Sequence, residues 1–139
     1  MSITSLAHAC IKTTDLEKTR KFYCDGLGMK LKFNFVKQGR LVGFYMQASE
    51  NTFVEAFEVA EPKPSDTGNT LSHFCLETDN IEETRQRLVD AGYEPRAITM
   101  GADNSPQFWV TDPNGMNVEF QQYTPQSCQK TGADVEVNW

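Results

Sequence analysis

The sequence contains an internal repeat at an offset of 65 residues, and this repeat limits the folds that the chain can adopt. Residues 8–25 and 73–90 are identical at seven of eighteen positions, whereas composition alone gives roughly one match. The identical pairs are His8/His73, Cys10/Cys75, Thr13/Thr78, Glu17/Glu82, Thr19/Thr84, Arg20/Arg85 and Asp25/Asp90. At an offset of 64 the matching pairs are Phe44/Phe108, Val54/Val118 and Glu55/Glu119. The 139 residues therefore read as one domain made of two similar modules.

Each module has the pattern of a strand, a helix and three further strands. The stretches SLAHACIKT and LSHFCLET alternate polar and apolar residues, which is typical of a strand with one face inward. The β-prone runs that follow are residues 30–36, 41–47 and 51–59 in module one, and 94–99, 106–111 and 116–123 in module two. Residues 112–115 read DPNG, which is a strong hairpin-turn signal. The sequence predicts two βαβββ modules and the α+β fold class.

The helix of each module is predicted from its ends. Thr14 with Glu17, and Asp79 with Glu82, have the spacing of a capping box just ahead of apolar residues at helical spacing. Three glycines are predicted to end the helices: Gly26, Gly28 and Gly92. Both helices are thus expected to begin directly after the first strand of their module.

The module boundaries follow from composition. Module one covers about residues 5–60 and module two about residues 70–123. Residues 61–69 form a linker interrupted by proline and glycine, without periodicity. Residues 124–139 extend beyond both modules, and the sequence assigns them no role.

Charge and cysteine content argue against several classes of protein. A net charge of −6 disfavours nucleic-acid binding, since a phosphate backbone normally requires a basic face. No apolar run is long enough to cross a bilayer and no secretory signal is visible, so we expect a cytoplasmic protein without a membrane partner. The four cysteines form no CxxC pair and are expected to be free thiols.

The charges are distributed unevenly along the chain. Residues 1–40 hold eight Lys or Arg against three acidic residues, a balance of +5. The remaining residues hold five against sixteen, a balance of −11. This distribution is compatible either with a small anionic ligand near the N-terminal third or with a solvated charged face.

The repeated polar residues predict a metal site. Strand alternation places His8 and Cys10 on one face, and it does the same for His73 and Cys75. The carboxylates of Glu55 and Glu119 are each flanked by apolar residues, and a Glu facing the interior is costly unless it is paired or bound to a metal. If a pseudo-twofold axis relates the modules, these two His and two Glu can converge and bind one Ni, Zn, Co, Mn or Fe ion. For any single residue, a hydrogen-bonded core His or a strand-edge Glu is the alternative.

Aromatic residues and a lysine are the candidates for substrate contacts. Four aromatic side chains lie on the predicted hairpins and could form an apolar pocket wall or pack in the core: Phe44, Tyr45, Phe108 and Trp109. Lys12 could bind a carboxylate, and a solvated strand-end lysine is the alternative. Cys10 and Cys75 share the face of the histidines, either as small buried thiols or as redox-sensitive neighbours of the metal.

The pattern of His8, Glu55, His73 and Glu119 resembles the vicinal oxygen chelate superfamily, also called the glyoxalase/bleomycin resistance/dioxygenase group. The stretches FYCDGLGMKL and DPNGMNVEF are similar to its FY…LG and DPDG…E signatures, and the match covers about residues 5–123. The resemblance is closest to glyoxalase I-like members. It implies two βαβββ modules that form a cupped mixed sheet with the helices on the outer face.

This resemblance also implies an activity. Such a protein is a lyase or isomerase that chelates an α-hydroxycarbonyl substrate, for example a glutathione hemithioacetal, and moves a proton through an enediolate. Glu119 matches the usual proton acceptor, and Glu55 matches a ligand that can act as a second acid or base. A homodimer is expected, with the metal bound within one chain or shared between subunits.

Two departures leave the substrate open. Glutathione-using members commonly have Arg at the position of Lys12 and Asn at the position of Val59. Another α-hydroxycarbonyl substrate is therefore an alternative. An extradiol-type dioxygenase uses two His and one Glu on iron, and Glu55 counts against it. A metal-free drug-binding protein of this fold should lack the four-ligand set.

Overall fold

The computed structural model describes Leu6, residues 8–61 and residues 73–135, which belong to two compact units. Unit 1 contains the described residues up to 61 together with the turn Asp112–Met116. Unit 2 contains the described residues of 73–111 and 117–135. The predicted linker lies outside the described residues except for Glu61, as do residues 71–72 and 136–139. Within the described part of the chain, no helix is long and apolar enough to span a membrane.

Unit 1 has the predicted order of elements. Its strands and helix are β1 (His8–Thr13), α1 (Leu16–Arg20), β2 (Lys30–Lys37), β3 (Arg40–Gln47) and β4 (Phe53–Glu58). The α1 helix continues as a π-helical segment over Lys21–Gly26, and Gly28 follows it with a φ of +76°. The sheet order is β1-β4-β3-β2, in which β1 is parallel to β4 and the other neighbours are antiparallel.

Unit 2 repeats this arrangement with a shorter edge strand. Its elements are β5 (His73–Glu77), α2 (Ile81–Asp90), β6 (Thr99–Met100), β7 (Pro106–Thr111), β8 (Asn117–Gln121) and α3 (Cys128–Thr131). The sheet order is β5-β8-β7-β6, with β5 parallel to β8. Both units are thus four-stranded mixed sheets with few helices, and the α+β prediction is confirmed.

The strand predicted over residues 94–99 is wrong for most of its length, because β6 is only Thr99–Met100. Pro95 has no N–H to donate to a ladder. The guanidinium of Arg85 donates hydrogen bonds to the carbonyls of Pro95 at 3.1 Å and Arg96 at 2.8 Å. These carbonyls are therefore satisfied by a side chain of α2 rather than by a neighbouring strand.

The helices begin one residue later than the predicted capping boxes. Asp15 caps α1, because its Oδ1 accepts a hydrogen bond from Lys18 N at 3.0 Å. Asn80 caps α2 in the same way, accepting from Glu83 N at 3.1 Å. The predicted caps Thr14 and Asp79 are wrong, since the extended backbone that a cap requires lies at the residue after each of them.

The repeated threonines join each first strand to its helix. In unit 1, Thr19 Oγ1 donates to Thr13 Oγ1 at 2.9 Å, and both residues are fully buried. In unit 2, the hydroxyls of Thr78 and Thr84 lie 2.7 Å apart. A buried hydroxyl needs a partner, so each threonine satisfies the other. Part of the sequence repeat is therefore explained by the strand-to-helix connection rather than by chemistry.

The core of each unit lies on one face of its sheet. The buried apolar residues of unit 1 are Ile11, Phe22, Tyr23, Phe44, Met46, Val54 and Ala56. Those of unit 2 are Ile81, Leu88, Phe108, Val110, Val118 and Phe120. The strand members of both sets alternate with the histidines and glutamates of the repeat, so the repeated polar residues lie on the opposite face.

The predicted DPNG turn is confirmed. Gly115 has a φ of +82°, which glycine adopts without strain. The carboxylate of Asp112 accepts hydrogen bonds from the N–H groups of Asn114 and Met116, both at 2.8 Å. Its other oxygen accepts from the buried hydroxyl of Tyr23 at 2.9 Å. This turn thereby connects to the π-helical segment within unit 1.

Candidate metal centre

Each sheet has a face that carries a repeated histidine, which we call the histidine face. In unit 1, Cys10 on β1 pairs with Glu55 on β4. In unit 2, Cys75 on β5 pairs with Glu119 on β8. Burial alternates along β1, where Ile11 is buried and its neighbours Cys10 and Lys12 are exposed. The predicted strand alternation is confirmed, and it brings each histidine and one glutamate to the same face.

The unit 1 pair consists of His8 and Glu55. His8 Nε2 lies 3.5 Å from Glu55 Oε1. The histidine side chain is 42% exposed and the glutamate side chain is 16% exposed, so both can be reached from outside the sheet. The ring of Tyr45 on β3 contacts the His8 ring edge-on at 5.7 Å between centroids.

The unit 2 pair consists of His73 and Glu119. His73 Nε2 lies 3.4 Å from Glu119 Oε2, and the Trp109 ring contacts the His73 ring at 4.7 Å. Glu119 is more deeply buried than Glu55. Burial raises the pKa of Glu119, while the nearby His73 acts to lower it by a smaller amount. Glu119 therefore holds a proton more readily than an exposed glutamate.

Each His–Glu pair has the geometry of two ligands bound to the same metal ion. Nitrogen and oxygen ligands bind first-row divalent ions at about 2.0–2.2 Å, which places two adjacent ligand atoms roughly 3–3.5 Å apart. The observed separations of 3.5 and 3.4 Å match this spacing in both units. Imidazole and carboxylate also suit Ni, Zn, Co, Mn or Fe. Among the described residues, the structure forms no group of three or more His, Cys, Asp or Glu that could hold a metal.

The two cysteines beside the pairs have weakly acidic thiols. Cys10 is an exposed residue, but partial burial of its thiol and a hydrogen bond with Glu55 raise its pKa to about 11. Burial and the charge of Glu119 raise the pKa of Cys75 to about 12. A neutral thiol is a poor nucleophile and a poor target for oxidation. The prediction of small buried thiols is wrong, since both cysteines are exposed, and the raised pKa values also disfavour the redox-sensitive role.

Two of the predicted aromatic contacts are on the wrong face. Phe44 is 1% exposed and Phe108 is fully buried, and both point into the core. They pair with Ala56 and Phe120 on the neighbouring strands, and neither partner belongs to a histidine face. A pocket wall at Phe44 and Phe108 is therefore wrong. The adjacent residues Tyr45 and Trp109, together with Lys12, lie on the histidine faces.

An amide network holds Glu119 in unit 2, and the sequence interpretation missed it. Gln121 Nε2 donates to Glu119 Oε1 and to Asp103 Oδ2, both at 3.2 Å. Gln129 of α3 donates to Asp103 Oδ2 at 2.5 Å and to Gln121 Oε1 at 3.4 Å. The extension of unknown role thus reaches the candidate carboxylate through two side chains. The spacing of two residues between Glu119 and Gln121 was a signal for their common face.

Comparisons with known proteins support the same family. Residues 5–120 match the model of the Glyoxalase/Bleomycin resistance protein/Dioxygenase superfamily. The chain is 31% identical over 125 residues to a probable lactoylglutathione lyase of Synechocystis sp., covering 84% of this chain and 94% of that protein. It is 30% identical over 124 residues to a lactoylglutathione lyase of Neisseria meningitidis, covering 84% and 89%.

A solved structure has the same fold. The glyoxalase family protein from Enterococcus faecalis superposes with a TM-score of 0.74 at 18% identity, covering 87% of this chain and 99% of that one. At this identity the likeness concerns the fold alone. The family model, which spans most of the chain, decides the assignment. This chain belongs to the Glyoxalase/Bleomycin resistance protein/Dioxygenase superfamily.

Proposed function

We propose that the protein is a divalent-metal-dependent lyase or isomerase of the glyoxalase I type, acting on a small molecule with two adjacent oxygen atoms. The observation that carries this proposal is the equal geometry of two His–Glu pairs, with N–O separations of 3.5 and 3.4 Å. The names of two relatives, a probable lactoylglutathione lyase and a lactoylglutathione lyase, agree with it. An α-hydroxycarbonyl such as a glutathione hemithioacetal is the substrate class.

The proposed metal ligands are His8, Glu55, His73 and Glu119. When bound, the ion would polarise the two substrate oxygens and stabilise the negative charge that develops on them. Each unit contributes one imidazole and one carboxylate. The two pairs come either from one chain or from the two chains of a homodimer, and the ligand chemistry is the same in both cases.

Glu119 is the proposed base. Its two oxygens have different surroundings, since Oε2 lies beside His73 and Oε1 accepts a hydrogen bond from Gln121. It accepts the proton of the carbon beside the carbonyl and returns it to the adjacent carbon, so no oxidant or reductant is consumed. Glu55 is the other carboxylate ligand, and it can act as a second acid or base.

The proposed substrate contacts are Lys12 and Trp109, two of the residues that the sequence predicted for this role. Lys12 is exposed on the histidine face of unit 1, where a lysine can act as a point charge for a carboxylate. The Trp109 ring lies beside His73 and can cover one side of a bound molecule. Both are positioned to bind and orient substrate rather than to transfer a proton.

The test is metal reconstitution. Protein stripped with EDTA is reloaded separately with Ni²⁺, Co²⁺, Mn²⁺ and Zn²⁺, and bound metal and turnover of the methylglyoxal–glutathione hemithioacetal are measured. We expect binding of a divalent ion and turnover with at least one of them. His8→Ala and His73→Ala should each lose metal affinity, whereas Glu77→Gln, which removes another carboxylate of β5, should not.

Other results would point to other members of the superfamily. A folded protein that binds none of the four ions would contradict the proposal and favour a metal-free drug-binding protein. Oxygen consumption with a catechol after Fe²⁺ loading would favour a dioxygenase. An active monomer in sedimentation would contradict a site shared between subunits, though not the metal chemistry.

A further inference from the structure

The histidine face of unit 1 carries five aromatic side chains that contact one another. The set, which we call the aromatic face, consists of Phe33, Phe35, Tyr45, Phe53 and Phe57. The Tyr45 ring is stacked between two of them, 4.7 Å from Phe33 and 4.9 Å from Phe53. Since Tyr45 also contacts His8, this row of rings leads directly to the candidate metal ligands.

A second row of rings, Phe35 and Phe57, is continuous because the residue between them is a glycine. Phe35 and Phe57 pair with the same residue, Gly43, and their rings meet at 4.5 Å. A Cβ atom on Gly43 would lie 2.8 Å from Phe57 Cδ1 and 2.4 Å from the Ala56 carbonyl oxygen. The absence of a side chain therefore lets the two rings approach, which extends the aromatic face across β2, β3 and β4.

The aromatic face is accessible in the chain. Phe33 is 47% exposed, and the other four rings are partly exposed. A contiguous apolar surface that stays accessible on a protein often marks a binding site. Aromatic rings favour other planar rings, which stack on them or meet them edge-on. The shape and composition of this face therefore favour a flat aromatic partner.

The charges around the aromatic face favour an anion. Lys12 and Lys30 lie on the same face, because their strand partners are Phe57 and Gln47. Within the described part of the chain neither lysine forms an ion pair, although Arg40, Arg20 and Lys18 do. Glu55, the carboxylate of this face, lies beside His8. The positive balance of the first forty residues is thus partly located beside the rings.

We propose that the aromatic face binds a substrate with an aromatic ring and a carboxylate group, such as an aromatic α-hydroxy acid. The ring lies against Phe33, Tyr45 and Phe53, and the adjacent oxygens point toward His8 and Glu55. Lys12 or Lys30 attracts the negative charge. This inference rests on the proposed function, since it names the substrate class of the same site.

The test uses three probes that differ by one group. Mandelate has the ring and the carboxylate, lactate lacks the ring, and mandelamide lacks the charge. Dissociation constants are measured by calorimetry with the full chain, both loaded with Ni²⁺ and stripped with EDTA. We expect mandelate to bind about 10-fold more tightly than either of the other two, the ratio that a good aromatic contact or a close charge supplies.

Two variants separate the ring from the charge. Phe33→Leu keeps an apolar side chain but removes the ring, and it should abolish the preference for mandelate over lactate. The double variant Lys12→Gln/Lys30→Gln should abolish the preference for mandelate over mandelamide. Lys37→Gln is the matched control, because Lys37 is an exposed lysine of β2 whose partner is Arg40, and it should change neither ratio. Thermal unfolding checks that each variant is folded.

The outcomes distinguish this inference from the proposed function. Equal binding of the three probes by metal-loaded protein would overturn the substrate class and leave the metal site intact. Absence of metal binding, with both preferences kept by the EDTA-treated protein, would overturn the proposed function and support the aromatic face. If Phe33→Leu instead converts a dimer to a monomer and no probe binds, the face contacts a second copy and the inference is wrong.

Discussion

The two units carry the same His–Glu pair in different surroundings. Two residues after the glutamate, unit 1 has Phe57 and unit 2 has Gln121. Opposite the glutamates, Tyr45 and Trp109 keep an aromatic ring beside each histidine. Unit 1 therefore surrounds its pair with rings, whereas unit 2 hydrogen-bonds its carboxylate through an amide network. Two units that keep the same His–Glu pair can therefore differ at a neighbouring position of the same face, as Phe57 and Gln121 do.

The largest expected effect concerns the two glutamates. If unit 2 supplies the base, Glu119→Gln should lower kcat about 1,000-fold and Glu55→Gln about 100-fold, within the range for a general base. Turnover of the hemithioacetal with the metal content measured in each sample is the check, and Glu77→Gln is the control. Unchanged turnover in both variants would remove the catalytic roles, and a larger loss in Glu55→Gln would reverse the comparison.

The second prediction replaces one neighbour of each glutamate with leucine. Gln121→Leu removes the hydrogen bond to Glu119 Oε1, and we expect kcat to fall about 10-fold, as for other residues that orient a ligand. Phe57→Leu, at the equivalent place in unit 1, should instead raise KM. Measuring kcat and KM separately for each variant distinguishes a positioning role from loss of structure. Loss of structure would lower the amount of active protein in both variants and leave KM unchanged.

The third prediction concerns Gln129, which hydrogen-bonds to Gln121. If Gln121 positions Glu119, loss of the Gln129 side chain should also lower kcat, but by less than loss of Gln121. Gln129→Ala removes the donor to Asp103 and to Gln121, so kcat should fall by a factor of about 2–5, below the 10-fold range expected for loss of a direct contact. Gln126→Ala, in the same segment, is the matched control. A loss in Gln129→Ala that exceeds that in Gln121→Leu would show that the network does not act through Gln121.

The sequence alone was sufficient to predict the features that follow from the alternation of side chains along a strand. Period two alone placed His8 with Cys10, and His73 with Cys75, on common faces. It could not decide between Phe44 and Tyr45, because the choice depends on which register β3 takes against β4. The answer lies in the pairing of Tyr45 with Glu55, which a single sequence does not contain.

Contacts distant in sequence were also beyond prediction. The strand expected over residues 94–99 failed because the side chain of Arg85 binds the carbonyls of that segment. The bond from Gln129 to Asp103 joins residues 26 positions apart, without a local pattern to indicate it. The capping boxes failed by one residue for different reasons in the two units. In unit 2 both Asp79/Glu82 and Asn80/Glu83 have the spacing of a capping box, whereas in unit 1 Asp15 caps the helix although the third residue after it is Lys18.

The fourth prediction concerns stability at a place where the repeat breaks. Tyr23 is the repeat equivalent of Leu88, and its buried hydroxyl donates to Asp112. Tyr23→Phe should lower the free energy of unfolding by about 1–2 kcal/mol, the usual cost of removing one partner of a buried hydrogen bond. Urea unfolding measures it. Tyr123→Phe is the control, because the Tyr123 hydroxyl has no hydrogen bond to the described residues, and an equal loss there would contradict the assignment.

The smallest effect is a pH dependence that separates the two hairpin turns. Asp112 begins the turn of β7 and β8, whereas its repeat equivalent Ala48 cannot titrate. Burial raises the pKa of Asp112 above its usual 3.8, and the hydrogen bonds from Met116, Asn114 and Tyr23 lower it by less. The folded protein therefore holds this proton more tightly than the unfolded chain. The corresponding stability is fully present below pH 3.8 and is lost as the pH rises through the folded-state pKa.

Asp112→Asn removes this titration and isolates its contribution. The free energy of unfolding of the original protein minus that of the variant should decrease as the pH rises from about 4 to 7, because only the original protein loses a favourably bound proton over that range. Urea unfolding of both proteins at several pH values measures the difference. A difference that stays constant or grows with pH would mean that the hydrogen bonds to the carboxylate outweigh its burial, and the turn would then favour the charged form.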